Sequence, residues 1–129
     1  MLAFVRGLIE KGWHSRFYDW HRVEAETDHS RMPAILDALG YRREDESFNR
    51  DDPAYLFFFI PSQFNAECAK AGFRPDRVLA LLKARGILAH DADGRNGLKV
   101  RLPERGKLPS GTSRSYCIIG RKLDADALC

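Results

Sequence analysis

Apolar residues recur along this chain with two different periods, and the switches between them mark out the elements. Leu2, Val5, Leu8 and Ile9 fall at the spacing of one helix face, which predicts a helix over 2–11 ended by Gly12. Phe17, Tyr18, Trp20 and Val23 mix β-formers with charges, so 14–24 reads as a short strand or irregular segment. A second helix is predicted over 30–41. Ser30 is its cap, Pro33 sits in its first turn, Ile35, Leu36 and Leu39 form its stripe, and Gly40 closes it. The run RREDESFNRDDP (42–53) has no apolar period and reads as a solvated loop.

From residue 54 the signals sharpen. AYLFFFI (54–60) is a continuous apolar and aromatic run, as expected of a strand buried on both faces. PSQFNAECAKAG (61–72) reads as a helix with Phe64, Cys68 and Ala71 inward and Gly72 as its end. A second helix follows after the short turn GFR. Pro75 suits its first position, and Asp76 and then Lys83 and Arg85 suit the two ends of its dipole. Val78, Leu79, Leu81 and Leu82 share one face; Asp76, Arg77, Ala80, Lys83 and Ala84 share the other. GILAHDADGRNGLKVRLPERG (86–106) predicts two short strands around a turn, with Leu98, Val100 and Leu102 inward. KLPSGTS (107–113) reads as a loop, RSYCIIGRKL (114–123) as a last strand, and DADALC as a frayed tail.

Strand, helix, tight turn, helix, strand, turn, strand is the order of a winged helix, a helix-turn-helix followed by a β-hairpin wing. The fold expected is therefore α+β and winged-helix-like. A single domain spans 1–129, with 1–53 as an N-terminal extension and 54–123 as the winged-helix core.

Charge bears on what such a domain meets. The overall balance is only +3, but residues 22–52 carry five Arg against nine Asp and Glu, a net of −4. Residues 95–122 carry eight Lys and Arg against Glu104, a net of +7. A basic segment this concentrated is a footprint of polyanion binding. The candidate contacts are Arg74, Arg77 and Lys83 around the second helix of the pair, and Arg95, Lys99 and Arg101 on the hairpin. The small residues Ala80 and Ala84 between them leave room for close approach of another surface.

Catalytic signatures are not visible. RGKLPSG lacks the glycine spacing of a phosphate-binding loop, and His14, His21, His29 and His90 do not fall at metal-ligand spacings. No nucleophile motif occurs. The chain is expected to be a non-catalytic domain without cofactor or metal. Cys68, Cys117 and Cys129 form no close pair, which suggests reduced thiols in the cytoplasm. No apolar run has the length of a membrane span.

GFRPDRVLALLKARGIL, DGRNGLKVRLPERG and RSYCIIG together resemble the C-terminal region of a family of mobile-element and phage proteins, described as superfamily II helicases and inactivated derivatives. LIEKGWHSRF and YLFFFIPSQFNAECAKAGF extend the likeness over most of the chain, and the C-terminal domain of conjugative relaxase-helicases is a weaker likeness. This chain departs from the pattern in its acidic run at 42–53 and its longer loop KLPSGTS. The resemblance implies a C-terminal piece of a larger bacterial protein, with a helicase- or primase-like region upstream as one partner and duplex or forked DNA as the other. The competing expectation is a protein-interaction or regulatory winged helix without nucleic-acid contact. That reading calls for an exposed apolar patch around Phe17, Tyr18, Trp20 or Phe73.

Overall fold

The computed structural model describes residues 1–25, 37–44, 55–90, 95–102 and 111–127. In chain order the elements are α1 (Leu2–Gly12), β1 (Phe17–Asp19), α2 (Trp20–Ala25), β2 (Gly40–Glu44), β3 (Tyr55–Phe59), α3 (Pro61–Lys70), α4 (Pro75–Ala84), β4 (Leu88–Ala89), β5 (Leu98–Leu102), β6 (Gly111–Ile119) and α5 (Gly120–Ala127). The architecture is mixed α+β.

One sheet organises the molecule, in the order β1-β2-β3-β6-β4, with β5 also paired to β6. The β1–β2 pair is parallel and the other pairs are antiparallel. The aromatic run of β3 lies between β2 and β6, and its side chains alternate between two apolar clusters. Phe57 and Phe59 enter the larger cluster with Val5, Ile9, Phe64, Val78, Leu82 and Ile118. Phe58 enters the smaller one with Tyr18, Trp20, Val23, Tyr41 and Cys117. Both faces of this strand are therefore covered, which is why its sequence shows no polar alternation.

Several expectations change. Residues 14–24 contain β1 and then a helix, α2. Asp19 caps that helix, its Oδ1 accepting from the His21 N–H at 3.1 Å. The helix expected over 30–41 lies largely outside the described residues, but Gly40 opens β2 rather than closing a helix. Arg42, Arg43 and Glu44, expected in a loop, are strand residues. Their charges hid the strand, because each arginine lies over an aromatic ring. The Arg42 guanidinium is 5.4 Å from the Trp13 ring centre, and that of Arg43 is 4.7 Å from the Trp20 ring centre.

The C-terminal half changes too. β4 and β5 do not pair with each other as the two strands of 86–106 were expected to; both pair with β6, which is long enough to carry them one after the other. Gly111, Thr112 and Ser113, expected in a loop, begin that strand. It ends at Ile119, and residues 120–127 form α5 rather than more strand and a frayed tail. Gly120 makes this turn possible. A Cβ there would lie 2.7 Å from the Tyr55 carbonyl oxygen and 3.0 Å from the Phe57 ring.

Phe17, Tyr18 and Trp20 do not form the surface patch that a protein-docking surface called for. All three are buried. Phe73 is half-buried, with its ring centre 5.1 Å from that of Phe4. Among the described residues, Met1 is the exposed large hydrophobic.

Candidate nucleic-acid interface

Two glycine caps position the helix pair. Gly72, at φ +84, ends α3, and the Phe73 N–H donates back to the Cys68 carbonyl at 2.9 Å. Gly86, at φ +70, ends α4, and the Ile87 N–H donates to the Leu82 carbonyl at 2.9 Å. Both are left-handed positions that an L side chain would strain, and each is followed by an apolar residue packed on or in the larger cluster. Between them Arg74 takes an extended conformation as the N-cap of α4, and Pro75 opens the helix.

The two faces of α4 differ sharply. Val78, Leu79 and Leu82 are buried, each contributing roughly 1.5–3 kcal/mol through the removal of its side chain from water. Leu81, expected beside them, is only half-buried, as the expected inward Ala71 of the α3 end is in fact exposed. Asp76, Arg77, Ala80 and Ala84 are exposed and Lys83 is half-buried. The outward face thus presents two methyl-sized side chains between longer charged ones.

The six candidate contact residues fall into two groups. Arg74, Arg77 and Lys83 lie on α4 or at its cap. Arg74 Nη2 donates to Asp76 Oδ2 at 3.2 Å, both side chains lying about two-thirds in solvent. Arg95 is exposed just before β5, and Lys99 and Arg101 occupy alternate positions of that strand. The register sets Lys99 opposite Arg114 and Arg101 opposite Thr112. Arg114 in turn donates through Nη1 to the Gly97 carbonyl at 2.8 Å, which ties the start of β5 to β6. The two groups are linked through the sheet, since α4 packs on β4 and both β4 and β5 pair with β6.

Other charged side chains have partners far away in sequence. Arg16 joins the end of α1 to α3 and to residue 37, through Glu67 Oε1 at 2.8 Å and the Asp37 carbonyl at 3.0 Å. Arg42 donates to the Trp13 carbonyl at 3.0 Å and lies 3.3 Å from Asp19 Oδ2. No spacing in the sequence announces these pairs, because their members lie tens of residues apart. Arg16 and Glu67 also line an open groove of about 380 Å³ together with Phe4 and Leu8 of α1. Burial, reinforced by the neighbouring Glu67 carboxylate, pushes the Cys68 thiol up to about 11.

Among the described residues no group of three His, Cys, Asp or Glu is arranged to hold a metal ion, and no helix is long and apolar enough to cross a membrane. Compared with protein-family models, with curated proteins and with solved structures, the chain gives no match.

Proposed function

We propose that this chain is a winged-helix-like accessory domain that binds nucleic acid for a replication or DNA-transfer protein. In this reading α4 is the recognition helix and the β5–β6 hairpin is the wing. The observation that carries it is the outward face of α4, where exposed Arg77, Ala80 and Ala84 back directly onto fully buried Val78 and Leu82. A helix anchored this firmly, with small residues outward and cations at its edges, suits entry into a groove.

The topology supports the same reading. The strand before the helix pair, β3, is followed in the sheet by the last strand, β6, and then by β4. Within the order β1-β2-β3-β6-β4, this run of strands around the helix pair suits a helix-turn-helix followed by a wing. Burial of Phe17, Tyr18 and Trp20 removes the apolar surface that a protein-docking domain would present there.

The test is binding of a labelled duplex and a labelled fork, followed by fluorescence anisotropy over a salt series. Affinity should fall steeply with salt, and removal of one phosphate-binding cation should lower the slope by about one unit. Arg77→Glu with Lys83→Glu, and separately Lys99→Glu with Arg101→Glu, should weaken binding to all sequences. No binding at low salt overturns the proposal.

A further inference from the structure

α1 carries more apolar surface than its own core uses. Val5, Ile9 and Gly12 are its buried stripe. Met1, Phe4 and Leu8 fall at i, i+3 and i+7 on a second stripe, where Met1 is exposed and Phe4 and Leu8 are half-buried. Beside that stripe Ala3 and Gly7 leave the helix backbone open. A glycine inside a helix lowers its stability relative to alanine, and it is expected where another group must come close to the backbone. Gly12 has such a neighbour, since a Cβ on it would lie 3.1 Å from Arg16 Cβ. Gly7 has none, because nothing lies within 4 Å of a Cβ placed on it. Ala3, Phe4, Gly7 and Leu8 all line the open groove of about 380 Å³, and Lys11, Arg16 and Glu67 line it with them.

We propose that this groove seats an amphipathic helix of a partner protein, one with an apolar face and a carboxylate beside it. Charge decides the chemistry of the occupant. Glu67 is the acid among the lining residues; it is 13% exposed and already held by Arg16 at 2.8 Å. Lys11 is exposed, and its ammonium has no ion-pair partner among the described residues. Its place in the last turn suits the dipole of α1, and that interaction leaves its N–H donors open. A visiting carboxylate therefore meets an unpaired cation, whereas a visiting cation meets like charge. Shape favours a helix. Ala3, Gly7 and Lys11 succeed one another at four-residue spacing, and the two small residues let a second helix axis come close. Residues 3–12 span roughly 14 Å at the helical rise, enough to take side chains at i, i+3 or i+4 and i+7 of the visitor. The walls are fixed in advance. The Phe4 ring centre lies 5.1 Å from that of Phe73, and Arg16 is tied to Glu67, so little freedom is given up on docking. The groove is built on α1 and not on the outward face of α4, so this inference stands apart from the nucleic-acid reading.

The experiment is selection from a displayed library of helical peptides against the full chain. Anisotropy then follows with the selected peptide and with a copy whose Asp and Glu are changed to Lys. Selected peptides should carry apolar residues at helical spacing with Asp or Glu beside them. Gly7→Leu, which fills the groove, should weaken binding about tenfold or more, the loss of one anchoring contact. Gly7→Ala, a smaller filler that favours the helix, should weaken it in the same direction while raising the melting temperature, so the loss is not unfolding. Lys11→Glu should weaken the acidic peptide about fivefold and strengthen the Lys-substituted copy. A selection without binders, binding unchanged in both Gly7 variants, or a preference for the Lys-substituted copy overturns the inference. So does a wild type that sediments as a dimer when Gly7→Leu sediments as a monomer, because the occupant is then a second copy of this chain.

Discussion

Arg16 and Glu67, 51 residues apart in sequence, meet at 2.8 Å and join the turn after α1 to the middle of α3. Both side chains are mostly buried, at 21% and 13% exposure, and this is the shortest ion pair either makes, beside Asp37 for Arg16 and the exposed Lys70 for Glu67. Arg16→Met should lower unfolding free energy by about 1–3 kcal/mol, because it removes the contacts to Asp37 and leaves the mostly buried Glu67 charge with only the exposed Lys70 nearby. Glu67→Gln, which keeps an acceptor, should cost less. The double variant should cost less than the sum of the two, as expected for one shared interaction. Urea denaturation of the four proteins completes the cycle.

Two glycines predict opposite outcomes for the same substitution. A Cβ on Gly40 would overlap the carbonyl oxygen of Phe58 across the β2–β3 pair, and neither backbone can move without opening the ladder. Gly40→Ala should therefore be among the most destabilising single changes, costing more than about 3 kcal/mol or preventing folding. Gly7, inside α1, has nothing within 4 Å of a Cβ. Gly7→Ala should stabilise by up to about 1 kcal/mol, through helix propensity alone. Thermal melts of the two variants check both signs.

The Cys68 thiol has its pKa raised from 9.0 to about 11, so the neutral form is the one that folding favours. Its contribution is complete below pH 9 and is lost as pH rises through 11. Unfolding free energy should fall over that window more steeply in wild type than in Cys68→Ala. At neutral pH iodoacetamide should label Cys68 only after unfolding, which mass spectrometry of native and urea-treated protein would read.

Stability and surface should separate cleanly on α4. Leu82→Ala should cost about 2–5 kcal/mol, since the side chain is fully buried. Ala80→Glu on the exposed face should change stability by less than about 0.5 kcal/mol. If α4 is the recognition helix proposed above, the same Ala80→Glu should sharply weaken duplex binding, because it adds bulk and negative charge on the outward face. Loss of binding without loss of stability identifies the interface; loss of both points to unfolding.

The helix pair was legible in the sequence because its punctuation is local. Gly72, Pro75 and Gly86 declare conformations that few other residues favour, and the apolar faces follow a 3.6-residue period. The aromatic strand was legible by composition alone. β2 was not, because its two arginines read as solvated loop until Trp13 and Trp20 are known to lie beneath them. α2 left a signal in Asp19 followed by Trp20 and Val23, a cap and an i, i+3 pair, but a six-residue helix is too short to establish a period. The pairing of β4 and β5 was illegible for a different reason. Two short strands around a turn resemble a hairpin locally, and only the length of β6, set by residues still to come, shows that both have another partner. Of the interface, the division of α4 into inward and outward faces was readable, whereas the hydrogen bond between Arg74 and Asp76 requires coordinates.

β6 is also a matter of timing. Among the described strands, β4 and β5 pair with β6 and with no other, and β3 depends on it for one of its two edges. A chain emerging from the ribosome therefore displays β4 and β5 before the strand they pair with among the described residues exists. Until Gly111–Ile119 emerges, the most aromatic strand of the protein keeps an open side. The last of the described strands is the one that closes the sheet, so a chain that stops just before it keeps one edge of β3 open.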